Sequence, residues 1–141
     1  MCPLFPGKDW LKAYVGQINS SKAYAECAVN WEGDVTLLFE PEPLLLVPAP
    51  IYSWLDLWHG KCRAARYDVP PHEGDQAQFV IRAPYSRWKQ VMQRELDPTK
   101  GMMQGKLKLK GDLPTIVRYT RASQEMTECT TRIPVEFPDE T

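Results

Sequence analysis

The clearest structural signal in the chain is a short segment in which lysine and leucine alternate: Lys106, Leu107, Lys108, Leu109 and Lys110. Side chains two residues apart lie on the same face of a strand, so the pattern predicts a strand with one apolar face and one cationic face. The leucines are then expected to point toward a core or a cavity, and the lysines toward water.

A capped helix is predicted directly after this strand. Asp112 can accept hydrogen bonds from the free N–H groups of the first helical turn, and Pro114 is tolerated in that turn. Apolar residues then recur at helical spacing, which predicts a carboxy-terminal helix over about residues 113–130. The tail that follows, residues 134–141, is predicted to be mobile.

The remaining elements follow from the same two periodicities. Apolar residues at helical spacing predict amino-terminal helices over about residues 9–30 and a further helix over about 86–96. Between them lies a predicted sheet core over about residues 34–111. Its strands are expected at about residues 35–40, 51–58, 61–67, 76–82 and 106–110.

Two segments of this predicted sheet core carry unusual patterns. Prolines interrupt residues 41–50, so this segment is predicted to be a loop, and its aliphatic residues Leu44, Leu45, Leu46 and Val47 are expected to pack over the core or a cavity. The predicted strand at 51–58 has large apolar side chains at both even-numbered and odd-numbered positions, which lie on opposite faces of a strand. We therefore expect that both of its faces are covered.

Composition places limits on the class of protein. At 141 residues the chain is expected to form one domain, residues 1–141. Lys plus Arg (17) nearly balances Asp plus Glu (18), so a chain-wide basic field is absent and nucleic acid is not an expected partner. The four cysteines are scattered, and no apolar run approaches the roughly 20 residues of a membrane span. These features favour a soluble cytoplasmic protein.

Candidate catalytic chemistry is limited to one short stretch. Asp56, His59 and Cys62 lie at three-residue intervals, which is the composition of a nucleophilic site with a base and an orienting carboxylate. In a hairpin Asp56 and His59 differ in parity and His59 lies at the turn, so the three side chains are not expected to converge. A turn histidine and a packed thiol are therefore the favoured interpretation. With two histidines and no clustered ligands, neither a metal site nor a cofactor is predicted.

The segment Gly101-Met-Met-Gln-Gly-Lys-Leu-Lys-Leu-Lys-Gly-Asp112, with the order of predicted elements, resembles the sterol carrier protein type-2 (sterol-binding) domain family. The segments Trp31-Glu-Gly-Asp34 and Leu55-Asp-Leu-Trp-His-Gly60 are similar to those of prokaryotic single-domain members. The likeness extends from about Asp9 to Thr130. It implies an α+β fold: a five-stranded, mainly antiparallel sheet with helices packed on one face, enclosing an apolar tunnel.

The resemblance also implies a function without bond-making. The expected role is binding or transfer of a fatty acyl, acyl-CoA or sterol-like lipid, with transient contact to a membrane surface and a partner enzyme of lipid metabolism as compatible associations. The alternative is an accessory domain that presents a hydrophobic substrate to a partner enzyme. Resemblance and parity together predict these ligand-binding residues, with Lys106 at the headgroup: Phe79, Ile81, Trp88, Met92, Met102, Met103, Lys106, Leu107, Leu109, Ile116, Val117 and Met126.

Overall fold

A computed structural model describes residues 3–42, 47 and 49–140 of the chain, and these form an α+β domain. A 3-10 helix at Pro138–Glu140 follows the last α-helix. In chain order the elements are α1 (Lys8–Ser20), α2 (Lys22–Cys27), β1 (Glu32–Glu40), β2 (Ile51–Trp58), β3 (Lys61–Arg66), α3 (Pro71–Gly74), β4 (Phe79–Pro84), α4 (Tyr85–Met92), α5 (Pro98–Met103), β5 (Lys108–Lys110), α6 (Leu113–Arg118) and α7 (Thr120–Thr131).

The strands form one five-stranded sheet in the order β3-β2-β1-β4-β5. Strands β1 and β4 are parallel, and the other neighbouring pairs are antiparallel, which confirms the mainly antiparallel sheet. Leu37 of β1 pairs with Ser53 on one side and with Ile81 on the other, and Ile81 pairs with Leu109. The register therefore places the odd-numbered residues of β1 on the same face as the apolar residues of β4 and β5.

The helical layer packs on that face, as predicted. Phe39 of β1 is fully buried and meets the ring of Trp88 from α4 edge-on, with ring centroids 5.4 Å apart. Phe5 packs against the same Phe39 ring at 5.1 Å, and Trp10 of α1 packs against it at 6.3 Å. Helix α7 contacts α1, α2, α4 and α5, so it closes the layer over the middle of the sheet.

The opposite face of the sheet is only partly covered, which corrects the prediction that both faces of β2 are buried. The four-residue helix α3 lies there, and the Thr36 hydroxyl donates to the carbonyl of Gly74 at 2.7 Å. Beyond α3, Tyr52 and Trp54 are half-buried and Trp58 is 37% exposed. The rings of tyrosine and tryptophan carry a polar group at one edge, so they tolerate partial exposure to water. The large side chains of β2 therefore led to a prediction of more burial than the structure has.

The alternating lysine and leucine segment forms a shorter strand than predicted. The N–H groups of Lys106 and Leu107 both donate to the carbonyl of Gly101, at 2.8 and 3.1 Å. These bonds close the carboxy-terminal end of α5, so the two residues are unavailable to the sheet and only Lys108–Lys110 pairs with β4. Gly101 itself lies inside a helix that the sequence pattern did not predict.

The predicted carboxy-terminal helix is divided into α6 and α7. Asp112 caps α6 as predicted, because its carboxylate accepts a hydrogen bond from the N–H group of Thr115 at 3.3 Å. Tyr119 then leaves helical geometry, with φ −104° and ψ 32°. Its ring packs edge-on against Trp31 at 5.0 Å, so a tertiary contact holds the break at this residue.

Helix α4 also ends earlier than predicted. It stops at Met92, and Arg94 takes a left-handed conformation with φ 63°. The N–H groups of Glu95 and Leu96 both donate to the carbonyl of Gln90, which closes the turn after the helix. Leu96 is still buried, so the apolar periodicity reported burial correctly but not the helix end.

In the proline-rich segment, the predicted packing is visible at one residue. Val47 is 2% exposed and belongs to the core. Its backbone exchanges hydrogen bonds with Glu42 at 2.7 and 3.2 Å. Leu44, Leu45 and Leu46 lie outside the described residues.

The tail, expected to be mobile, is packed as far as residue 140. Glu136 forms backbone hydrogen bonds with Pro3 and Phe5, each at 2.9 Å, and so joins the two ends of the chain. Phe137 lies 6.2 Å from Phe5, ring to ring. A net of polar contacts holds the last turn, where Asp139 accepts from Tyr85 at 2.6 Å.

Lys89 completes this net. Its ammonium lies 3.0 Å from Asp139, also pairs with Glu140, and sits 4.8 Å from the centre of the Phe137 ring. Partial burial raises the pKa of Asp139, but the hydrogen bonds from Tyr85 and Lys89 outweigh it and hold that pKa below its ordinary value of 3.8. The tail is therefore held by a carboxylate that must be ionised.

We predict that Asp139→Asn lowers the free energy of unfolding by about 1–2 kcal/mol at pH 7, because the charge-assisted bonds to Lys89 and Tyr85 are weakened. A depressed folded-state pKa gives stabilisation that is complete above pH ~4 and is lost as pH falls through the folded-state value. Urea unfolding from pH 7 to pH 2.5 should therefore show the two proteins converging in acid.

The matched control is Glu136→Gln, because the Glu136 side chain is exposed and only its backbone joins the amino-terminal segment. This variant should unfold like the wild type at neutral pH. Equal stabilities of Asp139→Asn and the wild type at pH 7, or a gap that does not close in acid, would show that the tail is not held by this carboxylate.

Candidate functional site

An apolar cavity of about 100 Å³ lies between the helical layer and the sheet. The sheet contributes the apolar residues that face the helices. These are Val35, Leu37, Phe39, Leu57 and Ile81. The register described above explains this floor, because Leu37 and Ile81 are direct neighbours on the central parallel pair.

The walls come from both ends of the chain. Amino-terminal residues supply a set of aromatic rings: Phe5, Trp10, Tyr14, Tyr24 and Trp31. Carboxy-terminal helices supply aliphatic, sulfur-containing and small polar side chains, with two further aromatic rings: Trp88, Val91, Met92, Pro98, Met102, Ile116, Tyr119, Ala122, Ser123, Met126, Thr127 and Thr130. None of these lining residues is charged, so the described part of the chain presents a low-dielectric space to an occupant.

The structure brings together part of the predicted site. Met92, Met102 and Met126 line the cavity from three different helices. Methionine is flexible and polarisable, so three of them around one space form a wall that can change shape. The other predicted residues that line the cavity are Ile81, Trp88 and Ile116.

The remaining predicted residues lie elsewhere. Phe79 and Leu107 are buried in the core behind the lining, and Leu109 is half-buried against that core. Met103 and Val117 are 63% and 40% exposed, and Lys106 is exposed. The structure therefore does not place these six side chains against the cavity.

The difference between Met102 and Met103 follows from the unpredicted helix α5. Adjacent residues in a helix point about 100° apart, so only one of the two can face inward. Met102 is 8% exposed and lies in the lining, while Met103 points to solvent. Val117 differs from Ile116 in α6 for the same reason.

The amino-terminal aromatic residues are the part of the site that sequence reasoning missed. Trp10 and Tyr14 are four residues apart in α1, and their rings stack with centroids 5.0 Å apart and an angle of 22°. Their spacing correctly predicted an amphipathic helix. Periodicity reports which face of a helix is dry, but not whether that face meets a solid core or a cavity.

The cavity comes nearest to the surface beside α5 and α7. The lining residues that are half-buried rather than buried are Ile81, Pro98, Tyr119, Ser123, Met126 and Thr127. Most of them lie at the start of α5 or along the first turns of α7. At this edge the lining is therefore partly accessible to solvent.

The volume of the cavity is small for a lipid. An engineered apolar cavity of roughly 150 Å³ holds one benzene molecule. A long acyl chain therefore fits here only if side chains of the lining move aside. The three methionines and the edge at α5 and α7 are the parts of the wall best suited to yield.

The candidate catalytic residues do not converge. Asp56 is held by the guanidinium of Arg63 at 3.0 Å, and His59 lies 2.5 Å from Glu32 at the turn. Cys62 points to the other face of the sheet, where its thiol donates to the carbonyl of Ala64 at 3.3 Å. Burial raises the pKa of Cys62 to about 11, which keeps the thiol protonated and weakly nucleophilic.

Two other kinds of site are absent from the described residues. No group of three or more histidine, cysteine, aspartate or glutamate side chains there could hold a metal ion. Within the same residues, no helix has the length and apolar character needed to cross a bilayer.

The placement of the two adjacent methionines gives a matched test. Met102→Ala should lower the free energy of unfolding by about 2–5 kcal/mol, because it removes buried atoms and enlarges a cavity. Met103→Ala removes the same atoms from an exposed position and should change stability by no more than about 0.5 kcal/mol. Urea unfolding of both variants measures the difference. Equal losses of stability would contradict a buried Met102 beside an exposed Met103.

Comparison with known proteins supports the same fold. A crystal structure of sterol carrier protein 2 is 33% identical, with a TM-score of 0.81, and the alignment covers 90% of this chain and 97% of that chain. A conserved hypothetical protein from Thermus thermophilus, described as possibly a sterol carrier protein, is 32% identical with a TM-score of 0.81, covering 92% of this chain and 90% of that one.

More distant structures share the fold alone. The apo form of sterol carrier protein 2 from Yarrowia lipolytica is 14% identical with a TM-score of 0.57, and the alignment covers 87% of this chain and 88% of that chain. A comparison with curated proteins gives no significant match. The model of the SCP-2 sterol transfer family matches residues 42–122. The chain therefore belongs to the SCP-2 sterol transfer family.

Proposed function

We propose that the protein binds one lipid molecule in the cavity between sheet and helices and carries it without chemical change. The ligand is a fatty acyl, acyl-CoA or sterol-like lipid. The observation that carries this proposal is the lining, which is apolar and aromatic and has no charged side chain among the described residues. Family membership supports lipid binding and transfer in general.

Burial of the acyl chain supplies enough free energy. Each methylene moved from water into an apolar site contributes about 0.8 kcal/mol. A chain of about 14 methylenes therefore contributes on the order of 11 kcal/mol, against an association cost of at least ~4 kcal/mol. The free energy that remains is enough for micromolar binding, and it is reduced by the free energy needed to open the cavity.

Entry takes place at the edge formed by α5 and α7, where the lining is half-buried. The acyl chain of the ligand displaces Met92, Met102 and Met126 and occupies the space that these side chains partly fill. Lys106 is exposed at the end of α5, and it holds the anionic headgroup of an acyl-CoA outside the cavity. Such a headgroup stays in water because no cation among the described residues lines the interior to pair with it.

The proposed carrier works in the cytoplasm. It makes transient contact with a membrane surface and delivers its ligand to a partner enzyme of lipid metabolism. Discrimination between chain lengths is modest, because one methylene at about 0.8 kcal/mol changes affinity only about fourfold.

Two adjacent residues of α6 test the proposal. Ile116→Trp fills the cavity and should weaken binding of a pyrene-labelled dodecanoate at least about tenfold, by removing space that the chain needs. Val117→Trp adds the same ring to an exposed position and should stay within about twofold of the wild type. Fluorescence titration measures both affinities.

A folding control accompanies the titration. Overpacking costs about 1–3 kcal/mol, so circular dichroism must show that Ile116→Trp keeps its fold. Ala122→Leu is a smaller change in the same lining and should weaken binding by a lesser factor if the larger variant unfolds. Equal affinity of the wild type, Ala122→Leu and Val117→Trp would place the ligand outside this cavity.

A further inference from the structure

Trp10 has a polar group that the apolar cavity does not explain. It lines the cavity and is 2% exposed, and its indole N–H has no hydrogen-bond partner among the described residues. The two other tryptophans in the lining are satisfied. Trp31 donates to the carbonyl of Gly33 at 2.8 Å, and Trp88 donates to that of Leu38 at 3.0 Å. Native proteins rarely leave a buried donor unpaired, so the Trp10 N–H is a candidate ligand contact.

Two phenol groups lie in the same wall of the cavity. Tyr14 stacks on Trp10, and Tyr24 of α2 also lines the space. No hydrogen bond of either hydroxyl is present among the described residues. Burial raises the pKa of both phenols well above the ordinary value for tyrosine, and the nearby Tyr24 adds to the rise at Tyr14. Both side chains are therefore neutral and able to donate.

The charge of the site limits the group that these donors can bind. No Lys, Arg or His among the described residues belongs to the lining, so an ionised carboxylate or phosphate at this wall would be buried without a countercharge, which is strongly unfavourable. A neutral oxygen needs no countercharge. A hydroxyl, a ketone or an ester carbonyl can accept from an N–H or O–H donor in this environment.

We propose that the amino-terminal wall is a subsite for a neutral oxygen atom of the ligand, bound by the indole N–H of Trp10 and the hydroxyls of Tyr14 and Tyr24. This inference rests on the proposed lipid-binding function and specifies its substrate class. A lipid whose only polar group is a hydroxyl or carbonyl enters with that group first. An ionised fatty acid enters with its hydrocarbon end first and leaves its carboxylate at the edge between α5 and α7.

The test compares three ligands of equal chain length: dodecane, 1-dodecanol and dodecanoate. Each competes at pH 8 with diphenylhexatriene, a fluorescent hydrocarbon. Wild-type protein should bind dodecanol at least about fivefold more tightly than dodecane, because one net hydrogen bond contributes about that factor. Dodecanoate should gain nothing from the subsite at this pH, since it is ionised.

The variants remove one donor at a time. Tyr14→Phe, Tyr24→Phe and Trp10→Phe should each reduce the ratio of dodecanol to dodecane affinity about two- to fivefold, and should leave the dodecanoate to dodecane ratio unchanged. Using ratios removes any change in cavity shape that affects all ligands equally. Tyr85→Phe is the control: Tyr85 is fully buried, donates to Asp139 and is absent from the lining, so this variant should keep the wild-type ratio.

Two results would overturn the subsite. One is equal binding of dodecanol and dodecane by the wild type, and the other is an unchanged ratio in all three donor variants. Failure of diphenylhexatriene and of all three ligands to bind the folded wild type is a different result. It would contradict the proposed function itself, and the subsite with it.

Discussion

The fold is assembled on the apolar face of strand β1, which lies at the centre of the sheet with β2 on one side and β4 on the other. Val35, Leu37 and Phe39 present one face to the helical layer, and their neighbours in register extend that face across the sheet. A single apolar sheet face must be covered, and here helices from both ends of the chain cover it. Because α1 and α7 meet above β1 without filling the space completely, the same packing that stabilises the fold also leaves a cavity.

A protein that binds a lipid inside its core needs a core that is not completely filled by its own side chains. A fully packed interior would bind nothing, while a large empty cavity would cost stability in proportion to its size. The observed compromise is a space of about 100 Å³ with three methionines in its wall. The tail contributes from outside, since Phe137 packs on Phe5 and Asp139 fastens the last turn to Tyr85 and Lys89. The cavity wall near Phe5 is thus formed by packed aromatic rings, while methionines of α5 and α7 form the wall on the other side.

Sequence patterns predicted the sheet, its apolar face and helices that cover that face, because buried residues recur with the period of the strand or helix that carries them. The same periodicity pointed to Ile81, Trp88 and Ile116, whose side chains line the cavity. The sequence patterns also named Met103 and Val117, and both side chains are exposed in the structure. Helix α5 was not predicted, and two adjacent residues of a helix cannot both face the cavity. Trp10, Tyr14 and Tyr24 were missed, since a dry helix face carries no mark that separates a cavity wall from a core. The packing of the tail depends on long-range partners such as Lys89, which no local pattern reveals.

Native mass spectrometry can show whether the domain holds one lipid in this cavity. The undenatured protein would be measured after incubation with vesicles that contain fatty acids, fatty alcohols and sterols. We expect a species heavier than the protein by one lipid mass, and loss of that species in the Ile116→Trp variant. A folded protein that keeps its unliganded mass with every lipid, or that binds several molecules without saturation, would contradict a carrier with a single internal site.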